Sequence, residues 1–225
     1  KLIGEGGFSK VYKIYDKKSR KEYSLKVCKI SNITANMLTR ELEFLSITNH
    51  NTLLHLKGFW LLSGKVNNTL NIVTELIHGF SLDRYFSTGK ETEPSVHFDQ
   101  LTPTQKTTLL MTIAYAIMKV HELEIIHRDI KPKNIIIKQS LFPILIDFGA
   151  AKYEHDSIEI IKNKTEIGTP VYQAPEVESG NYSYPVDVFS FGVMLCAFIS
   201  GKELISKKEE DRSRDIQELI IESPH

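Results

Sequence analysis

His127-Arg128-Asp129-Ile130-Lys131-Pro132-Lys133-Asn134, followed by Asp147-Phe148-Gly149, is the stretch on which the reading of this chain turns. It sets two carboxylates, an ammonium and an amide oxygen close together in sequence. Transfer of a phosphoryl group from a metal nucleotide needs those groups. One receives or orients the proton of an attacking hydroxyl, a cation steadies the migrating group, and oxygen ligands hold magnesium. Plain turn residues around a β-hairpin would have to explain five polar positions at matching offsets, which they do not.

Outward from this stretch the chain changes character. Leu2-Ile3, residues 11–15 and residues 22–27 are β-branched and aromatic runs, parted by Gly4-Glu5-Gly6-Gly7 and by a charged turn at 16–20. Leu38, Leu42 and Leu45 then advance at helical spacing. Residues 52–62 and 70–75 read as two further strands joined by a polar loop at 63–69, and His78 to Ser81 as a turn. Residues 88–94 are polar and Gly/Pro-punctuated, an insertion. Thr102-Pro103-Thr104-Gln105 is a capping box with proline at the first helical position. It opens a helix to about Leu123 whose apolar face is Leu109, Ile113, Ala116, Ile117 and Val120. Residues 135–137 and 144–146 read as strands, 183–199 as a buried helix, and 207–214 as a solvated charge run.

The 225 residues, 41% hydrophobic, can bury one core or two small lobes. Lys plus Arg (28) equals Asp plus Glu (28), so no global field favours nucleic acid or an anionic membrane. Cys28 and Cys196 stand far apart in apolar runs, which argues against a disulfide framework and for a reducing, cytoplasmic setting. The stretch from Val186 to Ile199 is too short, and too interrupted by Asp187, Ser190 and Gly192, to span a bilayer. The chain has no initiator Met and opens inside a strand, so it reads as a segment of a longer protein.

The glycines at 4, 6 and 7 lie between strands, where backbone amides can approach phosphate oxygens with no side chain intervening. A helix does not follow, which argues against a dinucleotide fold. With H-R-D-x-K-x-x-N, D-F-G and Ala174-Pro175-Glu176 on the same chain, the sequence resembles the catalytic domain of eukaryotic serine/threonine protein kinases, from Ile3 to Gly201. That resemblance implies an α+β, bilobal fold. Residues 1–77 would form a small β-rich N-lobe with one helix, and 78–225 a mainly helical C-lobe, incomplete at its end because the arginine that pairs with Glu176 in the family is missing. It also implies ATP and Mg2+ as cofactors, Ser/Thr-bearing protein substrates, and an upstream activating kinase or autophosphorylation. It implies no nucleic-acid partner and no membrane segment.

The resemblance further implies roles. Ile3, Gly4, Glu5, Gly6, Gly7, Phe8 and Ser9 match the glycine-rich loop, with Ser9 in place of the third glycine. Val11, Ser24 and Ile136 would sandwich adenine, Thr74 would stand at the gatekeeper, and Glu75 and Ile77 would offer hinge backbone groups. Lys26 matches the lysine that contacts the α/β-phosphates, paired with a helical glutamate for which Glu41 is favoured over Glu43. Asp129 would orient the acceptor hydroxyl and Lys131 would stabilise the transferring phosphoryl. Asn134 and Asp147 would ligand magnesium. His127 would pack with Phe148, and Asp187 would hold the backbone of the His-Arg-Asp loop. Thr169 would approach the catalytic aspartate, and a phosphate on Thr165 would pair with Arg128 and Lys152; an ordinary exposed threonine is the other reading. A scaffold that binds without transfer is the rival function, although no residue whose loss would mark it is missing.

Overall fold

The β-branched and aromatic runs at the start of the chain build an antiparallel sheet. A computed structural model describes residues 1–7, 9–31, 35–64, 68–85, 100–156, 170–180 and 182–200. Five strands, β1 (Leu2–Glu5), β2 (Ser9–Asp16), β3 (Lys21–Lys29), β4 (Leu56–Ser63) and β5 (Asn68–Glu75), pair in the order β1-β2-β3-β5-β4. The β2–β3 register sets Val11 opposite Lys26, and the β3–β5 register sets Ser24 opposite Thr74. Helix α1 (Ala35–Ile47) turns Leu38, Glu41, Phe44 and Leu45 inward. A carboxylate on an otherwise apolar face must find a cation.

The rest of the described chain is mainly helical. Helix α2 (Pro103–His121) starts at the expected capping box, with Gln105 N–H donating to Thr102 Oγ1 at 3.2 Å and Thr102 N–H to Gln105 Oε1 at 2.9 Å. The five expected apolar positions are its buried residues. The short strands are β6 (Gly79–Ser81), β7 (Ile125–Ile126), β8 (Ile135–Lys138), β9 (Pro143–Leu145) and β10 (Lys152–Tyr153). They form the sheets β6-β8-β9 and β10-β7. Helix α3 (Pro185–Ser200) closes the described chain, with Val193, Met194, Ala197 and Phe198 buried. The architecture is α+β. Among the described residues no helix is long and apolar enough to cross a membrane.

Two expectations need correction. The strand expected from residue 52 begins at Leu56, because local bonds turn the chain first. Leu53 N–H donates to His50 O at 2.9 Å and Thr52 N–H to His50 Nδ1 at 3.3 Å. The turn expected at 78–81 is largely strand β6. Gly79 makes that possible: a Cβ there would lie 2.1 Å from the Ile137 carbonyl oxygen, so only glycine fits so close to β8. The insertion at 88–94 and the charge run at 207–214 lie outside the described residues.

Candidate active site

Lys26 gathers the site. Its position in β3 lets Nζ reach Glu41 Oε1 of α1 at 2.5 Å and Asp147 Oδ1 at 3.2 Å. Glu41 is buried, with 3% of its side chain exposed, whereas 44% of the Asp147 side chain is open to the cleft. Burial opposes the charge on Lys26, yet the two carboxylates overcome it and hold its pKa above the ordinary lysine value. Burial likewise raises the pKa of Glu41, with Lys26 acting against it. For Asp147, desolvation is outweighed by the attraction of Lys26, and the carboxyl lies below its usual range. Glu43, the other helical candidate, faces elsewhere and accepts from Tyr153 Oη at 2.9 Å.

A second cluster forms around Asp129. Its Oδ2 accepts from Lys131 Nζ at 2.7 Å and from Asn134 Nδ2 at 2.8 Å, and Asn134 Nδ2 also donates to the Asp129 carbonyl at 2.8 Å. With both amide hydrogens spent on Asp129, Asn134 keeps its side-chain oxygen Oδ1, distinct from its main-chain carbonyl, for a cation. Ile146 N–H donates to the Asn134 carbonyl at 2.9 Å and ties this loop to the segment bearing Asp147.

Both loops hold strained backbone. Arg128 (φ 64°) and Asp147 (φ 65°) adopt left-handed conformations that non-glycine residues disfavour. Asp187, fully buried at the start of α3, secures the first of them. Its Oδ1 accepts from Arg128 N–H at 2.8 Å; its Oδ2 accepts from His127 N–H and from His121 Nε2, each at 2.8 Å. His127 donates from Nε2 to the Ile146 carbonyl at 3.3 Å and receives Asp129 N–H on Nδ1 at 3.3 Å. Its ring lies 5.2 Å from that of Phe148.

Between sheet and helices lies a cleft of ≈ 830 Å3, the size of a small-molecule site. Ile3, Gly4, Glu5, Gly6, Ser9 and Val11 line one wall. Ser24, Lys26, Thr74, Glu75 and Ile77 line the back, and Ile136 and Asp147 the floor. Gly7 does not line it, and Phe8 lies outside the described residues. A Cβ on Gly7 would meet nothing within 4 Å, so protein packing does not require that glycine. Open space over the loop suits a bulky polyanion drawn close to backbone amides. Glu75, expected to offer hinge groups, spends its N–H on the His55 carbonyl at 3.2 Å, and its carbonyl accepts the Thr74 hydroxyl at 3.3 Å.

Among the described residues no trio of His, Cys, Asp or Glu could hold a metal unaided. Asn134 and Asp147 fit a magnesium ion that completes its shell with phosphate oxygens and water. Arg128 and Lys152 converge on one residue. Arg128 Nη1 donates to Tyr182 Oη at 2.8 Å, its Nε donates to the Ala150 carbonyl at 2.5 Å, and Lys152 Nζ stands 4.8 Å from the Tyr182 ring centre. Thr165 and Thr169 lie outside the described residues. His121 and Tyr182 escaped the sequence reading, since neither belongs to a local pattern.

A family model described as "Protein kinase domain" matches residues 1–223. Serine/threonine-protein kinase 33 of Bos taurus is 27% identical over 94% of this chain and 43% of its own length. The PR5-like receptor kinase of Arabidopsis thaliana is 30% identical over 90% of this chain and 30% of its own length. The cGMP-dependent protein kinase of Plasmodium berghei is 31% identical over 98% of this chain and 24% of its own length. The chain thus spans less than half the length of these relatives.

Proposed function

The chain belongs to the protein kinase domain family, and from that membership we propose that it transfers the ATP γ-phosphoryl group to serine and threonine hydroxyls of proteins. The carrying observation is the Lys26 ammonium held between Glu41 and Asp147 in the same cleft as the glycine loop. Lys26 is then the cation for the nucleotide phosphates, and Glu41 keeps it extended into the cleft. Asp129, steadied by Lys131 and Asn134, orients the acceptor hydroxyl and takes its proton; Lys131 balances charge on the phosphoryl group in flight. Asn134 and Asp147 would hold magnesium, which would supply charge neutralisation of the phosphates. Preference for Ser/Thr over Tyr rests on Lys131, on Gly168-Thr169-Pro170-Val171-Tyr172-Gln173, whose sequence resembles the G-T-P-x-Y-x loop of serine/threonine kinases, and on relatives named as serine/threonine kinases.

Arg128 and Lys152 are the cations we assign to a phosphate on Thr165, which would displace the Tyr182 hydroxyl from Arg128. The decisive experiment is transfer of labelled γ-phosphate to a Ser/Thr peptide, with Asp147→Asn as control. Transfer by the wild type, lost in the variant, is the expected result. Nucleotide binding without turnover would overturn the reading in favour of a scaffold. Mass spectrometry after incubation with ATP reports Thr165 occupancy from the same sample.

A further inference from the structure

The Lys26–Glu41 pair joins the sheet to α1, so its geometry depends on where α1 stands. Glu41 and Phe44 are three positions apart on one face of that helix, and both are buried. The Phe44 ring meets the Tyr153 ring edge-on, with centroids 5.0 Å apart and planes at 74°. One residue before Phe44, Glu43 accepts the Tyr153 hydroxyl at 2.9 Å. One residue before Glu41, Arg40 Nη2 stands 3.4 Å from Asp156 Oδ2. Contacts from β10 and the residues just after it therefore bracket Glu41.

Tyr153 is itself held from the other side. Strand β10 pairs with β7, setting Tyr153 opposite Ile125 and Lys152 opposite Ile126, the residue before His127. Glu154 N–H donates to the Glu124 carbonyl at 2.8 Å and extends that pairing. The backbone that presents the Tyr153 ring is thus fixed to the base of the loop carrying Asp129. Burial and the neighbouring Glu43 raise the pKa of the Tyr153 hydroxyl, which keeps its proton to donate. Tyr153 does not line the cleft, yet it ties the helix bearing Glu41 to the segment bearing Asp129.

We propose that Tyr153 is a positioning residue for phosphoryl transfer: its ring against Phe44 keeps α1 where Glu41 meets Lys26. This deepens the kinase reading and rests on it for the reaction. The ring matters more than the hydroxyl, because water can replace one half-exposed hydrogen bond but not an edge-on aromatic contact. A misplacement of about 1 Å at reacting groups costs on the order of 100-fold, so a partial release of α1 is expected to cost about tenfold.

A double-mutant cycle between Tyr153→Ala and Glu41→Gln tests it, read as kcat/KM for γ-phosphate transfer with a urea midpoint for each variant. Tyr153→Ala should lower kcat/KM about tenfold alone, and under about twofold once Glu41→Gln is present, since the contact it supports is already gone. Tyr153→Phe keeps the ring and should stay within about twofold of wild type. Where Tyr153→Ala does not fold, Tyr153→Leu fills the space without the ring edge; it should lose about threefold, with the same dependence on Glu41. Equal losses in both backgrounds would overturn the proposal, since Tyr153 would then serve only the fold. Amide hydrogen exchange over residues 35–47 needs no turnover: the variant should speed it about tenfold while β2 and β3 hold. Unchanged exchange in α1 would also overturn the proposal. Faster exchange in α1 of a protein that transfers no phosphate supports the tie and removes the kinase reading. Transfer with equal losses in both backgrounds does the opposite.

Discussion

Replacing Asp187 with asparagine tests how the catalytic loop is held. The carboxylate accepts three hydrogen bonds in a fully buried setting: Arg128 N–H on Oδ1, His127 N–H and His121 Nε2 on Oδ2. Asparagine has one acceptor oxygen. In its better orientation that oxygen replaces Oδ2, and the Arg128 N–H then faces an amide NH2. One charge-assisted bond is lost, about 1.5–3 kcal/mol, and a buried donor is orphaned, about 1–3 kcal/mol. The expected cost is about 3–5 kcal/mol, a large part of the total stability of a domain. With a urea slope of about 2–3 kcal/mol/M the unfolding midpoint falls by about 1–2 M. His121→Ala is the internal comparison. With 18% of its side chain exposed, His121 can hand its place to water, and its loss costs under about 1 kcal/mol. Equal midpoints for Asp187→Asn and wild type, or equal losses for both variants, would refute the reasoning. Activity adds a second readout: once the anchor weakens, the left-handed Arg128 relaxes and carries Asp129 with it.

Glu41→Gln lowers kcat/KM by about 100-fold through a misplaced Lys26, while Glu43→Gln leaves it within about threefold, since of the two glutamates it is Glu41 that touches that lysine. The pH dependence of stability carries a definite sign. The Asp147 carboxyl titrates below its unfolded value, so its contribution is present above about pH 4 and is lost as pH falls through the folded value. Urea unfolding of wild type and Asp147→Asn across that acid range should show the steeper loss in wild type; parallel curves would contradict the assigned shift. Gly79→Ala drives a Cβ to 2.1 Å from the Ile137 carbonyl oxygen. The expected cost is about 2–4 kcal/mol, read as a lowered Tm, because β6 must part from β8.

What the sequence disclosed depended on how local the determining contacts are. Helix α2 was legible to within two residues because its cap and its apolar face recur every turn. Helix α1 was legible from the spacing of Leu38, Leu42 and Leu45 alone. The strands β7 and β10 were not, since two residues carry no periodicity and their pairing joins Ile126 to Lys152 across the fold. Strand β6 was hidden behind a glycine that reads as a turn until the neighbouring backbone is seen. Lys26 and Asp147 lie 121 positions apart, and only the family resemblance suggested that they meet. His121 and Asp187 are 66 apart, and the family pattern spoke for the aspartate alone. Tyr182 had no signal of any kind, although it joins Arg128 to Lys152.

The anchoring of the His-Arg-Asp loop by a residue some sixty positions downstream sets an order on biogenesis. Domains emerge from the ribosome N-terminus first. The glycine loop, Lys26 and even Asp129 itself are synthesised well before Asp187, so a nascent chain halted short of α3 holds every polar group of the site without the means to shape it. The shape of that loop is therefore settled only once α3 has been made.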